Sequence, residues 1–220
     1  PVSSNHRFLV LLEPLIAPGE VNARVYGGDY IVVASPVNGK MDLKAVKHTY
    51  LRFVLEPLIY ARTPAINKLT PILELVQSSP LPFIYKSDVL TLLTECMIRA
   101  IEAHTMDTGI PVYKIPEHVK RNQLAAVGKA EDEYEHQDAA VRRQAVHNDM
   151  VQGFILTQSF YEQLHGFDQS PTTLQKIVGI MIYGMNPGFE KHRVQDIVFA
   201  AHTDLEVTEP VAPQALKLDE

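Results

Sequence analysis

The hydrophobic period of this chain changes at Asp42, and that change constrains the fold more than any other feature. Before it, two β-rich runs, Val21-Asn-Ala-Arg-Val-Tyr26 and Tyr30-Ile-Val-Val-Ala34, flank Gly27-Gly28-Asp29. Glycine takes the positive φ of a tight turn without steric cost, so the pattern predicts a β-hairpin. Arg7-Phe-Leu-Val-Leu-Leu12, ended by Glu13-Pro14, supplies a third apolar run. A small antiparallel sheet of about three strands is expected over residues 7–40. After Asp42, Leu43, Val46, Tyr50, Phe53 and Val54 recur at three- and four-residue intervals, which is helical. Asp42 suits the N-cap, and Pro57 is expected to kink or end the helix.

Helical patterning continues from there. A second helix is expected after Pro64 through Val76. A third, apolar on nearly all sides, runs from about Phe83 or Ser87 to His104, and its polar residues Thr94, Glu95, Arg99 and Glu102 stand out for that reason. Residues 117–149 are highly charged, with six basic and seven acidic residues between Lys114 and Asp149, and predict a solvated helical hairpin or insertion. Ser170-Pro171 reads as an N-cap followed by proline at the first helical position, and Phe189–Ala200 as a last short helix. The 203–220 tail reads as extended or a linker. The expected architecture is α+β and predominantly helical: a small N-terminal antiparallel sheet followed by a helical bundle, in a single domain over residues 1–202.

Composition limits what such a domain can do. Twenty basic residues against 26 acidic give a net charge of −6, which argues against a nucleic-acid partner. One cysteine excludes a disulfide framework. No apolar run approaches the roughly 20 residues of a membrane-spanning helix. Pro1-Val2-Ser3-Ser4 reads as a trimmed start, compatible with an exported or periplasmic protein.

Chemistry concentrates on two of the helices. In Lys47-His48-Thr49-Tyr50-Leu51-Arg52, His48 and Arg52 are one helical turn apart and project from one face about 6 Å from each other. A His-Glu-x-x-His zinc site needs two histidines at that spacing and a glutamate beside the first as general base. Here the first histidine is His48, the glutamate position holds Thr49, and the second histidine position holds Arg52. Farther on, Thr94-Glu95-Cys96-Met97-Ile98-Arg99 places Glu95 on the next long helix, 43 residues beyond Arg52.

In its order of hairpin, His48 helix and Glu95 helix, the chain resembles the gluzincin (thermolysin-like, peptidase MA) metallopeptidase domains found in several uncharacterised bacterial families. The resemblance covers roughly residues 7–105 and implies a zincin-like fold. In that fold a sheet edge aligns an extended peptide and Glu95 stands at the third zinc-ligand position. The motif is degenerate, however. Thr49 cannot take a proton from zinc-bound water, a role worth about 10²–10⁴-fold in rate. Arg52 has no acceptor atom and repels a dication. The resemblance therefore implies a non-catalytic binding or structural module without a metal, its vestigial site formed by His48, Arg52 and Glu95, with an extended peptide or protein as partner. It also predicts an Arg52–Glu95 contact replacing the ion, with Arg99 competing for the same carboxylate. The alternative is an active zinc hydrolase using His48, Glu95 and a histidine such as His104 or His165. His136 and His147, about 16 Å apart along a helix, cannot share a metal, and Glu131-Asp132-Glu133 with Glu135 reads as a solvated face. Glu162, His165 and Asp168 show no diagnostic spacing, and Cys96 reads as packing.

Overall fold

The computed structural model describes residues 7–116, 118–167 and 172–201. The Ser170-Pro171 helix start, Asp168 and the 203–220 tail lie outside the described residues. A three-stranded sheet is followed by helices alone, so the chain is α+β and predominantly helical, as its periods predict.

Strands β1 (Phe8–Leu12), β2 (Val21–Tyr26) and β3 (Asp29–Ala34) lie in the order β1-β3-β2. β2 and β3 form the expected hairpin, Tyr26 opposite Asp29, with Gly27 at φ +59. β1 runs parallel to β3, from Phe8 opposite Tyr30 to Leu12 opposite Ala34, so the sheet is mixed and the expectation of an antiparallel sheet is corrected. The cause is the connection 13–20, which crosses the end of β3 instead of doubling back beside it. It is fastened there by Glu13 N–H to Ala34 O and Gly19 N–H to Ser35 O, both 3.1 Å. β3 alternates strictly, with Tyr30, Val32 and Ala34 buried, and it takes the centre.

One face of the sheet rests on α1 (Leu43–Tyr60) through aromatic rings. Phe8 and Tyr30 stack at 5.7 Å, Tyr50 meets Phe8 edge-on at 5.1 Å, and Phe53 lies 5.1 Å from Tyr30. Such pairs contribute about 0.5–1.5 kcal/mol each beyond their buried area. Asp42 caps α1, accepting from Ala45 N–H at 3.0 Å. Pro57 does not end the helix, which continues to Tyr60. Arg62 secures that end by donating to Leu58 O and, at 2.6 Å, to Gln175 O. The next stretch is α2 (Thr63–Ile66) and a 3₁₀ segment (Asn67–Val76) in place of one α-helix. Pro71 lies inside that segment and lacks the N–H that an α-turn requires.

After α3 (Phe83–Ser87) comes α4 (Val89–Thr105), capped by Asp88, which accepts from Leu90 N–H at 3.2 Å and Thr91 N–H at 3.0 Å. Eleven of its seventeen residues are buried, which makes α4 the hub of the bundle, with α1, α5 and α6 packed around it. Each fully buried Leu or Ile there contributes about 1.5–3 kcal/mol. The charged stretch, expected as a helical hairpin or insertion, is helical over one 29-residue element, α5 (Leu124–Gln152), and not a hairpin. It is about 43 Å long, and only Val146 and Met150 on it are buried. No proline interrupts it, and turn-to-turn pairs such as Asp138–Arg142 at 2.7 Å brace its polar surface. Arg142 also donates to Ala103 O (3.0 Å) and His104 O (2.5 Å), satisfying carbonyls at the end of α4. Gly153 stops α5 at φ +111, where a Cβ would come within 2.6 Å of Ser79 Oγ, so only glycine fits. Helices α6 (Thr157–His165), α7 (Leu174–Gly184) and α8 (Pro187–Val194) complete the bundle. The last begins at Pro187 under an Asn186 cap and stops at Val194, short of the expected Ala200. Among the described residues no helix is long and apolar enough to cross a membrane.

Candidate functional site

Six charged side chains from three helices meet between α1, α4 and α5. α1 contributes His48 and Arg52, and α4 contributes Glu95, Arg99 and Glu102, whose spacing of four and then three residues puts them in one stripe. Asp149 comes from the last turn of α5. Glu95 is the centre, its side chain 3% exposed. Arg52 Nη2 donates to Glu95 Oε2 at 2.5 Å, and His48 Nε2 stands 3.4 Å from the same oxygen. Arg99 Nε donates to Glu95 Oε1 at 2.9 Å. The chain of charges continues outward on both sides. Arg99 Nη1 donates to Asp149 Oδ1 at 2.7 Å, and His48 Nδ1 lies 3.1 Å from Glu102 Oε1. The Arg99 guanidinium also covers the Phe154 ring at 3.8 Å, a cation–π contact in a half-buried place.

The electrostatics follow from this geometry. His48 is pushed up to about 9, because the hydrogen bonds to Glu102 and Glu95 outweigh its partial burial, so it carries a charge at neutral pH. Burial alone would raise the Glu95 carboxyl; the contact with His48 and the charges of Arg99, His48 and Arg52 reverse that and hold it below the ordinary value. Asp149 moves the other way, since its burial outweighs the attraction of Arg99. Three cations thus face three carboxylates.

The expected meeting of Arg52 and Glu95 is present, and Arg99 shares the carboxylate instead of displacing Arg52. Thr49 turns its hydroxyl back to its own helix, donating to Ala45 O (3.0 Å) and Val46 O (2.8 Å). These residues do not fit a zinc ion. Both Glu95 oxygens are engaged by guanidinium groups, and a permanent cation stands on the carboxylate. Among the described residues no group of three or more His, Cys, Asp and Glu could hold a metal. His104 and His165, the alternative ligands, face each other with ring centres 4.9 Å apart, and Tyr161 stands 4.8 Å from His165. Glu162 accepts from Arg193 at 2.6 Å. Cys96 is fully buried and its thiol is pushed up to about 12, chiefly by burial, which makes it inert packing.

Beside the cluster opens a cavity of about 660 Å³, walled by the start of α1, the end of α4 and the last turns of α5. Arg99, Glu102 and Asp149 belong to both the cluster and the cavity wall. Sequence reasoning singled out Glu102 only as a polar residue in an apolar helix, although its place seven residues after Glu95 put it on the same face as Glu95, the one that meets His48. It passed over Asp149 and the cavity lysines Lys44 and Lys47. Nothing in the pattern distinguishes Asp149 from the other acids of its charged stretch. Comparison with family models, with curated proteins and with solved structures finds no match.

Proposed function

We propose that this domain is a non-catalytic, metallopeptidase-like module that serves binding or structure, with an arginine standing where the metal would be. The observation that carries the reading is the saturation of Glu95: Arg52 at 2.5 Å, Arg99 at 2.9 Å and His48 at 3.4 Å occupy the carboxylate that would be the third ligand of a gluzincin site. A guanidinium supplies the positive charge a buried carboxylate needs and a donor fork matched to it. The hydroxyl of Thr49, committed to backbone carbonyls, offers no general base. The partner such a module accommodates is an extended peptide or protein segment, added to a sheet edge by main-chain hydrogen bonds. β1 offers such an edge: it pairs with β3 on one side, and Val10, Leu11 and Leu12 are exposed.

Metal analysis of protein purified without chelator, with a peptidase assay in added zinc, tests the reading. The expected result is no stoichiometric zinc and no hydrolysis, with zinc binding gained by the Thr49→Glu/Arg52→His double variant. One zinc per chain, lost in His48→Ala and accompanied by peptide hydrolysis, would establish the active metal-dependent hydrolase instead.

A further inference from the structure

The cavity beside the cluster carries a charge imbalance that the cluster itself does not use. Arg99, Glu102 and Asp149 on its wall are already paired, with Glu95 and with each other or with His48. What remains on the wall is Lys44, Lys47 and Asp107. Asp107 is tied into its own loop, accepting from Gly109 N–H at 2.9 Å. Neither lysine has an anionic partner among the described residues. Lys47 spends one donor on a neutral group, the Thr105 hydroxyl at 2.6 Å, which in turn donates to Ile101 O. An ammonium has three donors, so Lys47 holds two more at a half-buried position. Both lysines lie in the first turns of α1, where the helix dipole adds to their positive field. With the six charges of the cluster balanced, Lys44 and Lys47 against Asp107 leave a surplus of one positive charge in a concave place, within a chain of net charge −6. The rest of the wall is Leu43, Ala103, Met106 and Ala145, with the Thr105 hydroxyl and the Asn148 amide among them, and a volume of about 660 Å³ falls within the range of small-molecule sites.

We propose that this cavity is a binding site for a small organic carboxylate with an apolar body, its anionic end on Lys47 and Lys44 and its body against Met106 and Ala103. The sign of the charge selects the head group, and the apolar lining selects against a bare anion. The site is distinct from the sheet edge and from the question of zinc, so it stands or falls apart from the reading above.

Calorimetric titration with hexanoate, acetate and hexylammonium, on the full chain and on Lys44→Gln/Lys47→Gln, tests the assignment. Hexanoate is expected to bind saturably at one per chain, acetate at least tenfold more weakly, and hexylammonium not at all. The double variant is expected to weaken hexanoate at least tenfold with an unchanged melting temperature. The Met106 methyl resonance is expected to shift as hexanoate saturates. Should the double variant fold poorly, Lys44→Gln alone, at an exposed position, is expected to weaken hexanoate about threefold. No saturable hexanoate binding, equal binding of hexylammonium, indifference to the lysine substitutions, or an unmoved Met106 methyl would each overturn the proposal.

Discussion

Two glutamates in this bundle are almost equally buried, Glu95 at 2% exposure and Glu190 at 3%, yet their carboxyls are pushed in opposite directions. Glu95 receives cations from both arginines and from His48, and it is held below the ordinary carboxylate value. Glu190 on α8 accepts from the Ser159 hydroxyl at 3.0 Å. Its cation, Arg193, is a helical neighbour 3.3 Å away, out of line for a hydrogen bond and shared with Glu162. Burial therefore prevails at Glu190 and raises its carboxyl. Burial is common to both residues. The difference lies in where the counter-charge comes from: a second helix aims Arg52 at Glu95, whereas Glu190 relies on the next turn of its own helix.

The largest test of this contrast is Arg52→Ala. Removing Arg52 breaks a buried pair but leaves Glu95 to Arg99 and His48, so a loss of about 3 kcal/mol, the low end for such a pair, is expected in urea unfolding. A loss below about 1 kcal/mol would place Arg52–Glu95 among surface-like pairs and dissolve the comparison. Glu95→Gln is expected to cost somewhat less, about 2 kcal/mol, since it leaves cations that solvent still reaches. NMR titration of that variant is expected to show the His48 pKa falling from about 9 towards its ordinary value. The pH profile is the next test. The folded pKa of His48 lies above its unfolded value, so its contribution is fully present below about 6.5 and is lost as pH rises through about 9. The expected loss is on the order of 2 kcal/mol, after discounting its partial exposure. A stability curve flat from pH 7 to 10 would contradict the His48–Glu102–Glu95 contacts. Glu95, held low, contributes stability above the carboxylate range and loses it on acidification. Glu190, held high, favours the folded state when protonated, and that preference is lost as pH rises through its folded value. The smallest effect belongs to Glu190→Gln, expected to change stability by less than about 1 kcal/mol near neutrality, with a neutral or stabilising sign. A cost comparable to Glu95→Gln would show that Arg193 serves Glu190 as well as Arg52 serves Glu95.

How much of this could be read from the letters varies by element. The β2–β3 hairpin was legible because Gly27-Gly28 and the alternation of Tyr30, Val32 and Ala34 are local signals. The parallel pairing of β1 was not, because it depends on the path of residues 13–20 over the end of β3. The single long α5 was obscured by its charge: low hydrophobicity suggested breaks, yet a helix can be polar on most sides when its own turns pair. At the site, His48, Arg52 and Glu95 were legible as a spacing on two helices, and Arg99 as the next turn. Asp149 was not, since its role depends on which turn of α5 reaches α4. Lys44 and Lys47 were invisible for a similar reason. A lysine on a helix surface acquires meaning only when another element walls it in.

The long helix α5 has a mechanical consequence. Its second half is fixed by Thr108 on Asp138, by Arg142 on the α4 carbonyls, by Val146 and Met150, by the Asp149–Arg99 pair and by the glycine stop at Gly153, while Leu124 to Ala126 lie exposed roughly three to four turns before Asp138. A rod held along one half turns small angles at its base into larger displacements at its tip: one degree over about 21 Å moves the far end by roughly 0.4 Å. Because Ala145, Asn148 and Asp149 form both the base of the rod and a wall of the cavity, α5 amplifies any change in that wall. A spectroscopic label at Leu124 would therefore register what happens at Lys47 from the opposite end of the bundle.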